Sequence, residues 1–144
     1  MKIPENVKES LNRSLKARRV ILATASKSGE PNAVPIGIMR FIDDETLLIV
    51  DNYFLKTRAN LDSNPHAALT FWDMEEKDGK LVTTMACQLK GSVKMESSGP
   101  LFEKVRAEVK AIRSEFPAKA IALLKVEEIY DARAGATAGK KLQQ

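Results

Sequence analysis

The spacing of apolar and polar positions changes several times along the chain, and each change marks an element. Val7, Leu11 and Leu15 recur every four residues between charged positions, which predicts an amphipathic helix over residues 5–18. Residues 19–25, Arg-Val-Ile-Leu-Ala-Thr-Ala, are rich in strand formers, and Gly29 is the permissive residue of the turn that follows. A second strand is expected from Asn32 to about Ile42, and the polar turn 43–45 returns the chain as a third strand over 46–50. A short helix is expected over 54–62, and Asn64-Pro65 stops it, because proline disfavours the helical region in the residue before it. His66–Trp72 reads as a fourth strand, residues 73–80 as a charged loop, and Leu81–Met95 as a long strand that Gly91 bends or bulges.

Pro100 suits the first position of a further helix, whose apolar stripe is Leu101, Val105, Val109 and Ile112 and whose end is Phe116-Pro117. Residues 119–130 give a sixth strand, and the small, polar stretch 132–144 reads as a flexible tail after a single domain over 1–131. Strands this short, mostly sequential and joined by turns, favour an antiparallel barrel or sandwich over a parallel doubly wound sheet.

Composition narrows the classes of function. A chain of 144 residues with 44% apolar and 29% charged residues fits one globular domain. No apolar run is long enough to cross a bilayer, and residues 1–5 lack the apolar stretch of a signal peptide, so a cytoplasmic protein with no membrane partner is expected. The net charge of +4 includes Lys140 and Lys141 near the end, and the chain has no basic block, which makes nucleic acid an improbable partner. A mildly basic surface suits an anionic small ligand equally well. Cys87 and His66 are each the only residue of their type, which argues against a disulfide, a Cys/His zinc site, or a Cys–His or Ser–His relay.

Three segments carry candidate chemistry. Apolar residues 47–50 run into Asp51-Asn52, and the helical pattern that follows holds Lys56 and Thr57 in its first turn. Unpaired helix N–H groups together with an ammonium and a hydroxyl suit a phosphate, although a lysine on a short helix is also simply solvated. Arg58 and Asn60 are nearby candidates for the same ligand. In the second strand Val34, Ile36 and Ile38 share the core face, while Ala33, Pro35 and Gly37 share a face that is small and flat. A planar ligand or a second subunit fits that face, and Pro35 belongs where ladder pairing is absent. Of the adjacent pair Phe71 and Trp72, one points inward and the other is left for a subunit contact or a cofactor ring. The acidic residues Asp73, Glu75, Glu76 and Asp78 read as a solvated loop rather than a metal site.

In their order and spacing these pieces resemble the FMN-binding split β-barrel family of pyridoxamine 5′-phosphate oxidase and the small FMN-binding proteins related to it. The segments that carry the resemblance are 20–25, 29–37, 48–52, Lys56-Thr57-Arg58-Ala59-Asn60-Leu61, Asn64-Pro65, 89–93 and 99–103. The resemblance implies a six-stranded antiparallel Greek-key split barrel with small flanking helices, and a homodimer with FMN at the subunit interface. It implies that Lys56 and Thr57 hold the FMN phosphate, that Val34, Pro35, Ile36 and Gly37 run along the isoalloxazine, and that Val50, Asp51 and Asn52 flank it from the other side. The full set of basic residues that pyridoxamine phosphate oxidases use for their substrate is not found in the chain. A redox flavoprotein, an electron carrier or an oxidoreductase acting on a small molecule, is therefore the reading, with no catalytic residue assigned. The alternatives are a deazaflavin (F420)-dependent reductase or haem-related binder on the same fold, or a non-redox ligand-binding or nucleic-acid-binding protein.

Overall fold

Among the described residues three helices and seven strands follow one another: α1 (Glu5–Lys16), β1 (Val20–Ala25), β2 (Pro31–Pro35), β3 (Met39–Phe41), β4 (Thr46–Asp51), α2 (Lys56–Ser63), β5 (His66–Lys77), β6 (Lys80–Glu96), α3 (Pro100–Ile112) and β7 (Ala120–Asp131). The structure, a computed structural model, describes residues 1–142. All strand pairings are antiparallel, and the sheet order is β2-β1-β5-β6-β7-β4-β3. β2 and β3 thus lie at opposite edges of the sheet, although only residues 36–38 separate them in the chain. Three residues span about 10 Å at most, whereas seven flat strands extend about 30 Å. The sheet must curl until its edges approach, and the result is a half-barrel. The short link bonds to both sides, Ile36 N–H donating to Val20 O at 3.0 Å and Ile38 O accepting from Val50 N–H at 3.1 Å.

The count of seven strands, where the sequence pattern gives six, arises here. The apolar alternation continues without a break from Val34 to Ile38, but curling forces the strand to leave one sheet edge and join the other, so it splits into β2 and β3. The expected loop over 73–80 is also replaced. β5 runs on to Lys77 past a bulge between Asp73 and Met74, and a two-residue hairpin at Asp78-Gly79 leads into β6. Both turn residues have positive φ, 52° and 75°, the conformation such hairpins require and Asp-Gly accepts. Asp73 is not a solvated loop residue but is buried, because α1 supplies its partners: Arg13 Nε donates to Oδ2 at 2.8 Å and Ser10 Oγ at 3.0 Å.

Two packed regions explain the burial pattern of β4. Leu47 and Ile49 point into the main core with Leu11, Leu22, Leu69, Phe71 and Leu124. Leu48 and Val50 point to the other face, which α3 covers with Phe102, Val105 and Val109. A strand with both faces covered reads as a continuous apolar run. Ile112, expected in the α3 stripe, is instead 84% exposed at the last helical residue. The irregularity expected at Gly91 is present as a register shift between Lys90 and Gly91, and a Cβ on Gly91 would stand 1.8 Å from Lys125 O. Phe71 points inward and is fully buried, while Trp72 is half-buried on the outer face of β5.

The segment after β7 is bonded to that strand as far as Leu142. Asp131 N–H donates to Lys140 O at 2.9 Å, Gly139 N–H to Asp131 O at 2.7 Å and Leu142 N–H to Ile129 O at 2.8 Å, and the Leu142 side chain packs on the main core. Residues 143–144 of the expected tail lie outside the described residues. No helix among the described residues is long and apolar enough to cross a membrane.

Candidate functional site

The junction of β2 and β3 faces the turn between β4 and α2, and a groove of about 420 Å³ lies between them. Eight of the nine site residues singled out in the sequence line it: Val34, Pro35, Ile36, Gly37, Val50, Asn52, Lys56 and Thr57. Its β2 wall is an open edge. Ile36 N–H points to β1, so by strand alternation the main-chain groups of Pro35 and Gly37 face away from the ladder. The N–H that Pro35 lacks therefore costs no sheet hydrogen bond, and the main chain of Gly37 is left free to meet a ligand. The residues Ala33, Pro35 and Gly37 are all exposed, as their shared face requires.

The opposite wall is the start of α2. Its N-cap, Leu55, offers no capping side chain, and no acidic residue stands in the first turn. The first-turn N–H groups consequently present their partial positive charge without a side-chain partner. Lys56 is exposed at the first helical position, and no ion pair among the described residues includes it. Thr57 is 1% exposed, and its Oγ1 accepts a hydrogen bond from Asn32 Nδ2 at 3.0 Å. That bond leaves the threonine proton to donate elsewhere. Among the described residues no carboxylate lines the groove, and neither does a histidine, cysteine or methionine. An anionic end at α2 and a flat, mostly apolar body along Val34–Ile38 are the ligand features these walls complement.

Asp51 is the one singled-out residue that does not line the groove; the structure places it behind the wall. It is fully buried, its Oδ1 accepts from Phe54 N–H at 3.0 Å, and Arg58 Nη1 and Lys119 Nζ stand 3.5 and 3.8 Å from its carboxylate. Asn52 Oδ1 accepts from Ala118 N–H at 3.0 Å, and Lys119 Nζ donates to Phe54 O at 3.1 Å. Together these contacts brace residues 52–55, the loop that sets the direction of α2. Arg58 is engaged with Asp51 and Asp62, and Asn60 Nδ2 donates to Thr24 Oγ1 at 3.1 Å, so neither of these nearby candidates lines the groove.

Ile38, expected only as a core residue, also lines the groove, and the sequence reading missed Asn32, Tyr53, Phe54, Leu55 and Phe116, which complete the lining. Tyr53 and Phe116 meet edge to face with centroids 6.2 Å apart. Tyr53 and Leu55 are 69% and 83% exposed, and that apolar pair beside Asp51-Asn52 was the available signal. Phe116 had none, since it is brought here from beyond α3. His66 lines a different depression, with Thr24, Lys90 and Glu127. Burial pushes the Cys87 thiol up to about 11, which keeps it protonated and unreactive at neutral pH.

The structure is thus a curled antiparallel half-barrel in which an uncapped helix start faces an open strand edge. Residues 3–133 match the pyridoxamine 5′-phosphate oxidase family, and the chain belongs to that family. It is 33% identical over 135 residues to the uncharacterized protein MJ0282 of Methanocaldococcus jannaschii, covering 92% of this chain and 85% of that one. Among solved structures it is similar to HupZ of Group A Streptococcus, with a TM-score of 0.73 at 25% identity over 95% of this chain and 99% of the other. It is also similar to an FMN-binding protein of Syntrophomonas wolfei, with a TM-score of 0.72 at 17% identity over 91% and 89% of the two chains. The same fold serves a heme binding protein of Mycobacterium smegmatis (TM-score 0.61, 16% identity, 91% of this chain and 55% of that one) and an F420 reductase (TM-score 0.61, 17% identity, 88% and 98%).

Proposed function

We propose that this protein binds FMN in the groove between the β2–β3 junction and the start of α2, and that it has a redox role, either carrying electrons or oxidising or reducing a small molecule. The single observation that carries the reading is the uncapped start of α2, with exposed Lys56 and buried Thr57, facing the open edge at Pro35–Gly37. In this reading the α2 N–H groups, Lys56 Nζ and Thr57 Oγ1 hold the phosphate. The main chain of residues 35–37 meets the polar edge of the isoalloxazine, and Val50 and Asn52 wall its other side. Bound flavin supplies reversible one- and two-electron transfer, and the chain supplies binding and orientation.

No histidine, cysteine or methionine among the described residues lines the groove, which leaves Tyr53 as the one lining side chain of a type that commonly ligates haem iron. Two copies per assembly belong to the same proposal. Ile21, Ala23, Ala68, Thr70 and Trp72 form a half-buried, weakly polar patch on the outer face of β1 and β5, suited to a second subunit. A cytoplasmic location fits an intracellular flavin. The test is to purify the protein, denature it and identify the released small molecule by mass, then titrate the apoprotein with FMN. Released FMN, or micromolar or tighter FMN binding, is expected. Released F420 or haem, or a protein that takes up no flavin, overturns the reading.

A further inference from the structure

A second cavity, of about 500 Å³, adjoins the cofactor groove and shares Gly37, Ile38 and Phe116 with it. Its walls come from the end of α1 and the end of α3. Leu15, Val109 and Ile112 join Ile38 and Phe116 in a hydrocarbon lining, Lys16, Arg18 and Arg113 contribute three cations, and no carboxylate among the described residues lines it. Ile112 is 84% exposed there, a large apolar side chain left without a covering neighbour.

The arginine at position 18 is held at a conformational cost. The end of α1 closes with Arg18 N–H donating to Leu15 O at 3.1 Å and Arg19 N–H to Ser14 O at 2.8 Å, the paired bonds of a Schellman cap. In that cap the residue at position 18 must take positive φ, here 61°, where glycine is unstrained and an arginine is not. The fold thus keeps a cation where glycine would serve the backbone better. Neither Lys16 nor Arg18 is in an ion pair among the described residues, whereas the Arg113 guanidinium stands 3.7 Å from Glu115 and over the Phe116 ring at 5.4 Å. Cations at helix C-termini also complement the helix dipoles, which accounts for Lys16 and Arg113. The dipole favours a cation at Arg18 as well, but it does not account for holding one at positive φ.

We propose that this cavity is the subsite for the cofactor's small-molecule partner, and that it takes an apolar body bearing a single carboxylate. The body lies against Leu15, Ile38, Val109 and Ile112, and the carboxylate meets Arg18 and Arg113 at the rim. Gly37 and Ile38, common to both cavities, put that molecule beside the place assigned to the flavin ring. Its role as the cofactor's neighbour rests on the FMN reading, while the binding of the acid does not.

The experiment uses 2-naphthoate as the probe and neutral 2-naphthamide as its control, each followed by its own fluorescence anisotropy with the full chain, with and without FMN. Naphthoate is expected to bind about tenfold or more tightly than the amide, the size of one charge-assisted contact. Arg18→Gly, which relieves the positive φ and so should not lower the melting temperature, is expected to remove most of that preference. Arg113→Gln is expected to reduce it independently. Saturating FMN should leave naphthoate bound, and naphthoate should perturb the flavin absorption band. Equal binding of acid and amide, a preference that survives both substitutions, or competitive displacement of naphthoate by FMN would each overturn the subsite. A chain that binds naphthoate with the expected preference but takes up no FMN retains the acid site and loses the cofactor reading instead.

Discussion

Lys56→Ala gives the most direct test of the phosphate end of the groove. Lys56 is exposed at the first position of α2, so removing its side chain should change folding stability by no more than about 0.5 kcal/mol. In the complex its ammonium would stand about 4 Å from the FMN phosphate, where one pair of unit charges near a protein surface interacts by roughly 4 kcal/mol. Ordering the lysine side chain costs up to about 2 kcal/mol of this, and partial desolvation takes more. The net contribution falls at about 1.5–3 kcal/mol, the usual range for a hydrogen bond to a charged group. Lys56→Ala should therefore weaken FMN roughly tenfold to a hundredfold. Riboflavin has the same ring and no phosphate, so it should bind wild type and variant alike. The assay is quenching of flavin fluorescence on titration of apoprotein with each ligand, repeated at raised ionic strength, where the FMN-specific difference should shrink because the site is open to solvent. Equal losses for FMN and riboflavin would show that Lys56 acts through the fold, and unchanged FMN affinity would remove it from the site.

Three other outcomes are expected. Thr57→Val deprives Asn32 Nδ2 of its acceptor, so it should cost about 1 kcal/mol in urea denaturation even without ligand, and the loss should be less than additive with Asn32→Ala; additive losses would mean that the 3.0 Å bond is not formed. Gly91→Ala puts a methyl group 1.8 Å from Lys125 O, so β6 and β7 must separate, and a destabilisation of at least about 2 kcal/mol is expected; a loss under about 0.5 kcal/mol would refute the close approach. Truncation after Ala134 removes the backbone bonds made by residues 139–142 and the packing of Leu142, and should cost about 1–2 kcal/mol in thermal or urea unfolding. The same segment should loosen in acid. The Thr137 hydroxyl, and then Arg133 N–H, hold the Asp131 carboxyl below its ordinary 3.8, so its contribution is present above that value and is lost as pH falls through the lower, folded one. Amide NMR signals of residues 133–142 should shift in acid with a midpoint below 3.8, and a midpoint at or above 3.8 would refute the contacts.

Much of this molecule was legible along the chain because its cues are local. The four-residue spacing of Val7, Leu11 and Leu15 gives a helical stripe, Pro100 and Pro65 bound their elements, and alternation assigns Val34 and Ile36 to the main core, although Ile38, expected on the same face, packs on the α3 side once the strand changes sheet edge. The small residues at 33, 35 and 37 and the Lys56-Thr57 pair could be singled out for the same reason, since their chemistry is stated by residue type and spacing. What the chain could not state was distance between remote segments. The split of one apolar run into β2 and β3 follows from the curl of a seven-stranded sheet, which is a property of the whole sheet and of no residue in it. Asp73 reads as solvent-facing until α1 brings Arg13 and Ser10 to it, and Asp51 reads as a ligand contact until burial turns it toward Phe54, Arg58 and Lys119. Phe116 reaches the groove, and the ends of α1 and α3 meet over Ile38, only because packing of α3 on β4 and β7 folds the chain back on itself. Local sequence sets backbone preference and the face of each side chain; which faces meet is decided by burial of the apolar surface of the whole chain at once.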